Sequence, residues 1–169
     1  MELSFYAQPY DVSAEGFYFR TMEEYEAQIG TIKNSFGQQV EEFEIQFIDG
    51  GTLDSELARA WGLSQASVAS FIEAAEKWDE EDKIRFILAV GECGYFFDPE
   101  NVDPSDFDVD IYRSDSMRDL AIEFVAEGLF GEVPSHLEAY VDYDAIARDL
   151  AIDYSEAIIA GERLIYRCA

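Results

Sequence analysis

The chain has 169 residues, with 37 Asp plus Glu against 11 Lys plus Arg and a formal net charge of −26. Yet 49% of its residues are hydrophobic and 15% aromatic, which excludes a disordered acidic tail, because such segments lack the apolar residues to form a core. Charge of this sign also disfavours direct binding to nucleic acid or to an anionic membrane, and no apolar run approaches the ~18 residues of a membrane span.

The excess is spread evenly. Residues 1–61 hold 12 acids and 3 bases, residues 62–109 hold 12 and 3, and residues 110–169 hold 13 and 5. A folded body with a negative coat repels itself. The compensating partner expected from this is one with a large positive surface, as nucleic-acid-binding proteins have. The start, Met1-Glu2-Leu3-Ser4-Phe5, has neither a basic flank nor an apolar signal core, so a cytoplasmic protein is expected. In that compartment Cys93 and Cys168 read as ordinary thiols rather than a disulfide framework.

In chain order, residues 3–6 and 16–19 are aromatic-rich runs separated by Pro9, Asp11 and Gly16, and they predict two strands. Thr21-Met22-Glu23-Glu24 has the form of a capping box, which predicts a helix over 22–32. Phe43, Ile45 and Phe47 alternate with Glu42, Glu44 and Gln46, a half-buried strand ended by Gly50-Gly51.

The middle reads as helical. Leu53, Leu57, Ala60 and Trp61 share a helix face, with Gly62 as the stop. Ser64 is placed to cap a helix carrying Val68, Phe71, Ile72 and Ala75 inward. Asp79 starts another, with Ile84, Ile87 and Leu88, closed at Gly91. Residues 94–108 contain Pro99 and Pro104 and read as an irregular connector.

The last third returns to mixed structure. Val109, Ile111 and Tyr112 suit a strand, and Ser116 opens a helix that Gly128 ends. Residues 134–140 suit a helical turn or a short helix, Asp142 caps a helix to about 152, and residues 157–159 and 164–167 suit a hairpin around Gly161. The fold class expected is α+β, with three small domains: 1–61 (α+β), 62–108 (helical) and 109–169 (α+β).

Sites of chemistry are poorly supported. Asp106, Asp108 and Asp110 invite a calcium reading, but an EF-hand loop needs Gly and Glu where Ile111 and Met117 stand. On a strand these acids form a stripe rather than a cage. His136, Cys93 and Cys168 lie far apart and show no metal-ligand spacing. No dinucleotide or phosphate loop is present, so no catalytic residue, cofactor or metal is expected. Asp144 and Arg148 are four apart and suit a helix-surface ion pair.

The acids are more informative as a surface. Asp119, Glu123 and Glu127 recur every fourth residue, about 6 Å apart along a helix. Duplex DNA carries about one charge per 1.7 Å of axis, so no single helix matches it, and a mimic would need its whole surface. Glu73, Glu76, Asp79, Glu80, Asp106 and Asp108 join that row as the expected acidic surface. Two copies, each carrying −26, equal the charge of about 90 Å of duplex, against about 80 Å for two such compact bodies end to end.

The run Gly128-Leu129-Phe130-Gly131-Glu132-Val133-Pro134-Ser135-His136-Leu137, followed by Ala139-Tyr140-Val141-Asp142-Tyr143-Asp144-Ala145-Ile146-Ala147-Arg148-Asp149-Leu150, resembles the ArdA antirestriction family. Glu132, Val133, Pro134 and Leu137 match its first element. Tyr140, Asp142, Tyr143, Ala147, Arg148, Asp149 and Leu150 match its second, and Ile165-Tyr166-Arg167 suits its closing strand. Val141 replaces a common aromatic and Asp144 a common Glu. The resemblance implies an elongated, three-domain DNA mimic without catalytic activity or cofactor, carried by plasmids, conjugative elements or phage. It also implies a homodimer joined through the C-terminal region. Its partner would be a type I restriction-modification enzyme, bound in the DNA groove of the specificity and methyltransferase subunits. Leu129, Phe130, Val133, Leu137 and Tyr140 are bunched in a short stretch, and an exposed patch of that kind suits the dimer interface.

Two rival readings follow from charge alone. One is an acidic regulator of another basic DNA-binding protein, such as a nucleoid protein or transcription factor. The other is a hydrolase or metal-dependent enzyme with an acidic surface, which the aromatic content and the missing metal spacing disfavour.

Overall fold

The computed structural model describes residues 2–169. It is mixed α+β, as expected, with six α-helices and two antiparallel three-stranded sheets among the described residues. The chain divides into two compact units, one ending at Phe107 and one spanning Asp108–Ala169. The segments expected as separate N-terminal and central domains therefore fall within one unit.

In the first unit, β1 (Ser4–Pro9) lies between β2 (Phe17–Phe19) and β3 (Phe43–Asp49). Phe5 pairs with Phe19 on one side and Phe47 on the other, and Ala7 pairs with Phe17 and Ile45. Alternation along each strand sends Phe5, Ala7, Phe17, Phe19, Phe43 and Ile45 to the buried face. Tyr18 and Glu44 stay exposed.

Helix α1 (Met22–Ile29) starts as expected, with the Thr21 hydroxyl accepting from the Glu24 N–H at 3.2 Å. The reciprocal half of the box is displaced by one residue, because the Glu24 carboxylate accepts from Arg20 N–H rather than from Thr21. The helix also stops before 32. The Thr31 hydroxyl bonds back to the Gln28 carbonyl, and the chain leaves into a tight turn closed by a Lys33–Gln39 bridge.

Three helices follow, α2 (Thr52–Trp61), α3 (Val68–Lys77) and α4 (Glu80–Phe86). Gly62 ends α2 in the left-handed conformation, at φ 68°, which glycine adopts without a Cβ clash. Ser64 does not cap α3. The residue at the cap is Ser67, whose hydroxyl accepts from the Ser64 N–H, so a turn precedes the helix. Asp79 caps α4 by accepting from the Asp82 N–H at 2.9 Å. Gly91 does not close that helix. The coil widens into a π-helical stretch over Ile87–Glu92, and the left-handed glycine is Gly94, at φ 74°.

A continuous aromatic seam explains why these helices share a unit with the sheet. Phe5 meets Phe71 edge-on at 5.9 Å, Phe71 meets Trp61 at 5.8 Å, and Trp61 meets Phe86 at 4.9 Å. Contacts of this geometry add about 0.5–1.5 kcal/mol each beyond burial.

In the second unit, β6 (Glu162–Cys168) lies between β4 (Val109–Tyr112) and β5 (Ser155–Ile159). Helices α5 (Met117–Ala126) and α6 (Tyr143–Leu150) pack against each other. Leu120, Phe124 and Ile165 form a buried cluster, joined by Tyr112, Met117, Leu150 and Tyr154. Ser116 and Asp142 cap the two helices as expected. At the end of α5, Gly128 N–H bonds to Val125 C=O and Leu129 N–H to Phe124 C=O. With Gly128 at φ 80° this is a Schellman stop. Residues 134–140 form the expected helical turn, a hydrogen-bonded turn from Pro134 to Leu137 that runs into a 3-10 turn over Glu138–Tyr140, and α6 ends at Leu150 rather than 152. The hairpin turns through Ala160 (φ 50°) and Gly161 (φ 87°).

Candidate protein-binding surface

Charge dictates where the acids go, because an unpaired carboxylate buried in a core is strongly disfavoured. Ser67 and Ser114 are the only buried polar or charged residues among those described, so every described carboxylate reaches the surface. Glu73, Glu76, Asp79, Glu80, Asp106, Asp108, Asp119, Glu123 and Glu127 are all exposed.

Local structure orders these acids. On α3, burial of Val68, Phe71, Ile72 and Ala75 turns Glu73 and Glu76 outward. Asp79, Glu80 and Glu81 gather at the start of α4, where the helix dipole favours negative charge. On α5, Asp119 accepts from the Ser116 hydroxyl and Glu123 from the Ser114 hydroxyl at 3.0 Å, while Glu127 is the C-cap residue. The expected row therefore has two members anchored by serines.

The expected stripe of Asp106, Asp108 and Asp110 does not form along one strand. Asp106 sits in a 3-10 turn and β4 begins only at Val109. Asp110 is on the strand, but its carboxylate accepts two hydrogen bonds from the Arg167 guanidinium, which is held more strongly protonated mainly by that bond.

Basic residues neutralise few of the acids. Lys83 pairs with Asp54 at 2.7 Å with both side chains largely covered. Arg20 pairs with Glu2, Arg113 with Glu162, Arg163 with Glu156 and Arg118 with Asp144. The anticipated Asp144–Arg148 pair is thus replaced by one across α5 and α6, with Arg118 also 5.7 Å over the Tyr143 ring. Asp11, Asp98 and Asp103 are pushed below the usual carboxylate range, chiefly by side-chain hydrogen bonds from Ser13, Asn101 and Ser105 respectively. These three hold their charge into mild acid.

The second unit also carries an apolar edge. Leu129 and Phe130 are each 58% exposed, Leu137 45% and Tyr140 83%. Val133, Tyr143 and Leu150 are half-buried, and Glu132, Pro134, Asp142, Arg148 and Asp149 are exposed. Pro134, Val133, Tyr143, Ile122 and Val125 line one open recess, rimmed by Glu127, Glu132 and Glu138. Sequence reasoning brought the apolar set together, and the structure leaves it largely uncovered by its own unit.

Two features were not anticipated. Gln65 ties three segments of the first unit together, and the loop after β1 is bonded to the 33–39 turn through Asp11–Asn34 and Ser13–Ser35 contacts. The Asn34-Ser35-Phe36-Gly37 string is a turn signal that marks the second of these in sequence.

Among the described residues, no group of three or more His, Cys, Asp or Glu is placed to hold a metal ion. His136 is exposed. Contrary to expectation, neither cysteine is a free thiol. No helix of the described residues is long and apolar enough to cross a membrane.

A family model described as antirestriction protein (ArdA) matches residues 6–161 of the chain. No curated protein matches it.

Proposed function

The chain belongs to the ArdA family of antirestriction proteins, and we propose that it acts by DNA mimicry as a homodimer. The target is a type I restriction-modification enzyme, and the occupied site is the DNA-binding groove of its specificity and methyltransferase subunits. Membership of the family makes it an inhibitor whose partner is a restriction-modification enzyme in general.

The observation that carries the mimicry is the surface location of every described carboxylate, in both units and around a well-filled core. A DNA-binding groove presents Lys and Arg to rows of phosphates. Carboxylates held on short helices and capped turns offer such a groove acceptors of the same charge sign, already in place. No bond is made or broken. Inhibition is occupancy, and its electrostatic part comes from summed charge rather than from any one carboxylate.

The homodimer is supported by the edge around Leu129, Phe130, Val133, Leu137 and Tyr140. Exposed apolar area of this kind is characteristic of interfaces. Pairing two copies there doubles the acidic surface available to one groove. Asp142, Tyr143, Arg148 and Asp149 belong to the same stretch and would border that contact.

The test is cleavage of unmodified DNA by a purified type I complex in the presence of the full-length protein. Loss of cleavage at near-stoichiometric protein is expected. Undiminished cleavage at large excess would refute the reading.

A further inference from the structure

The loop following β1 and the turn following α1 hold three large apolar side chains out in solvent. Val12 is 99% exposed, Phe36 85% and Tyr10 66%. Single exposed apolar residues are ordinary, but these are clustered on two segments that are bonded to each other. The Asn34 amide donates to Asp11 at 3.0 Å, and the Ser35 N–H donates to the Ser13 hydroxyl at 3.1 Å. Each segment is also locked internally. Asp11 accepts from the Ser13 N–H and hydroxyl, and the Asn34 side-chain carbonyl accepts from the N–H groups of Phe36 and Gln38. Gly37, at φ 75°, closes the turn. Val12 lies between the bonded residues Asp11 and Ser13, and Phe36 directly follows Ser35. The two belong to one preorganised knob, so little conformational freedom remains to be lost on binding.

The surroundings of the knob are acidic. Tyr10 borders a recess with Asp11, Glu41 and Glu42, and Glu15 follows in the same loop and is exposed. Lys33 is the only base within residues 1–19 or 31–47. A second copy of so acidic a surface is a poor fit, whereas a cationic groove is complementary. Grooves that handle DNA meet more than phosphate: they also contact thymine methyl groups and stacked base faces.

We propose that the Val12–Phe36 knob is a contact surface for the cationic DNA-binding groove of the target, in which it occupies the apolar, base-contacting part while the adjacent carboxylates occupy the phosphate-contacting part. The proposal rests on the DNA-mimic reading and deepens it. It assigns the first unit a hydrophobic anchor that charge alone does not provide. Anchors of this type lose little affinity as salt rises, unlike the surrounding ion pairs.

The experiment compares the full-length protein with Val12→Ser/Phe36→Ser and with Glu41→Gln/Glu42→Gln, each competing against labelled duplex for a purified type I complex across a salt series. Both apolar positions are solvent-exposed, so the first variant should keep its thermal midpoint. The expected result is about tenfold or greater weakening by the first variant, with its salt slope unchanged. The second variant should weaken binding with a shallower slope. Equal affinity of the unaltered protein and the apolar variant would overturn the knob while leaving the mimicry intact. A shift of the apolar variant to a smaller oligomer would overturn it in favour of a contact between copies. Failure of the unaltered protein to compete would remove the mimic reading, and the knob's role with it.

Discussion

The Gln65 side-chain amide donates to the Tyr25 hydroxyl at 3.0 Å, forty residues away in the chain. The same amide donates to the Glu41 carbonyl, and its oxygen accepts from the Phe43 N–H at 2.8 Å. One side chain between α2 and α3 thereby fastens α1 and the start of β3.

Gln65→Ala leaves the N–H of buried Phe43 without that acceptor. The expected loss is about 1–3 kcal/mol, the usual consequence of a stranded buried donor. Urea unfolding followed by fluorescence reads this directly, because Trp61 and Trp78 both lie in the first unit. A midpoint equal to that of the unaltered protein would show that Gln65 is dispensable.

Ala160 occupies the left-handed region, at φ 50°, in the two-residue turn joining β5 and β6. Turns with positive φ at both central positions favour Asn-Gly, and Gly161 already supplies the second half. Ala160→Asn is therefore expected to stabilise the protein by about 1 kcal/mol. Thermal melting should show a raised Tm, and a lowered Tm would speak against the turn geometry.

Burial pushes the Tyr25 hydroxyl above the ordinary 10.0, opposed in part by the Gln65 hydrogen bond. Burial also raises Tyr112, assisted by neighbouring Tyr154 and Asp110. Because the folded values lie above the unfolded ones, this contribution is intact below about pH 10 and lost as pH rises through the folded values. Stability should decline above pH 10, and Tyr25→Phe should flatten the decline. An unaltered pH profile for that variant would remove Tyr25 from the explanation.

If the proposed homodimer forms through this edge, Leu129→Ser/Phe130→Ser converts it to monomer without loss of the Leu120–Phe124–Ile165 cluster, to which neither residue belongs. Sedimentation at micromolar concentration supplies the measurement. A dimer that persists in this variant would place the interface elsewhere.

Features decided by near neighbours were legible in the sequence. Thr21, Asp79, Ser116 and Asp142 each cap the helix that follows, because capping needs only a short oxygen-bearing side chain two or three residues upstream. Gly128 was equally plain as a stop. Ser64 misled because a turn intervenes, in which the Ser67 hydroxyl accepts from the Ser64 N–H, and the helix begins only after it, with no side-chain cap. Features decided at long range were hidden. The Phe5–Phe71–Trp61–Phe86 seam joins residues that composition marks as core without naming their partners, so the helix stop at Gly62 also reads as the end of a domain, whereas the unit runs on to Phe107. Asp144 has Arg148 four residues along its own helix, yet pairs with Arg118, which tertiary packing brings near. Surface placement of the acids needed no fold at all, since desolvation forbids the alternative.

Mimicry requires that the protein and DNA exclude each other from one site. The most direct measurement is equilibrium competition between the full-length protein and a labelled duplex bearing the recognition sequence, for one type I complex, at several salt concentrations. Complete displacement of the duplex is predicted. The protein's logarithmic salt slope should be the shallower one, because carboxylates about 6 Å apart along a helix condense fewer counterions than phosphates spaced about 1.7 Å along the duplex axis. A stable ternary complex, with duplex and protein bound together, would contradict the account.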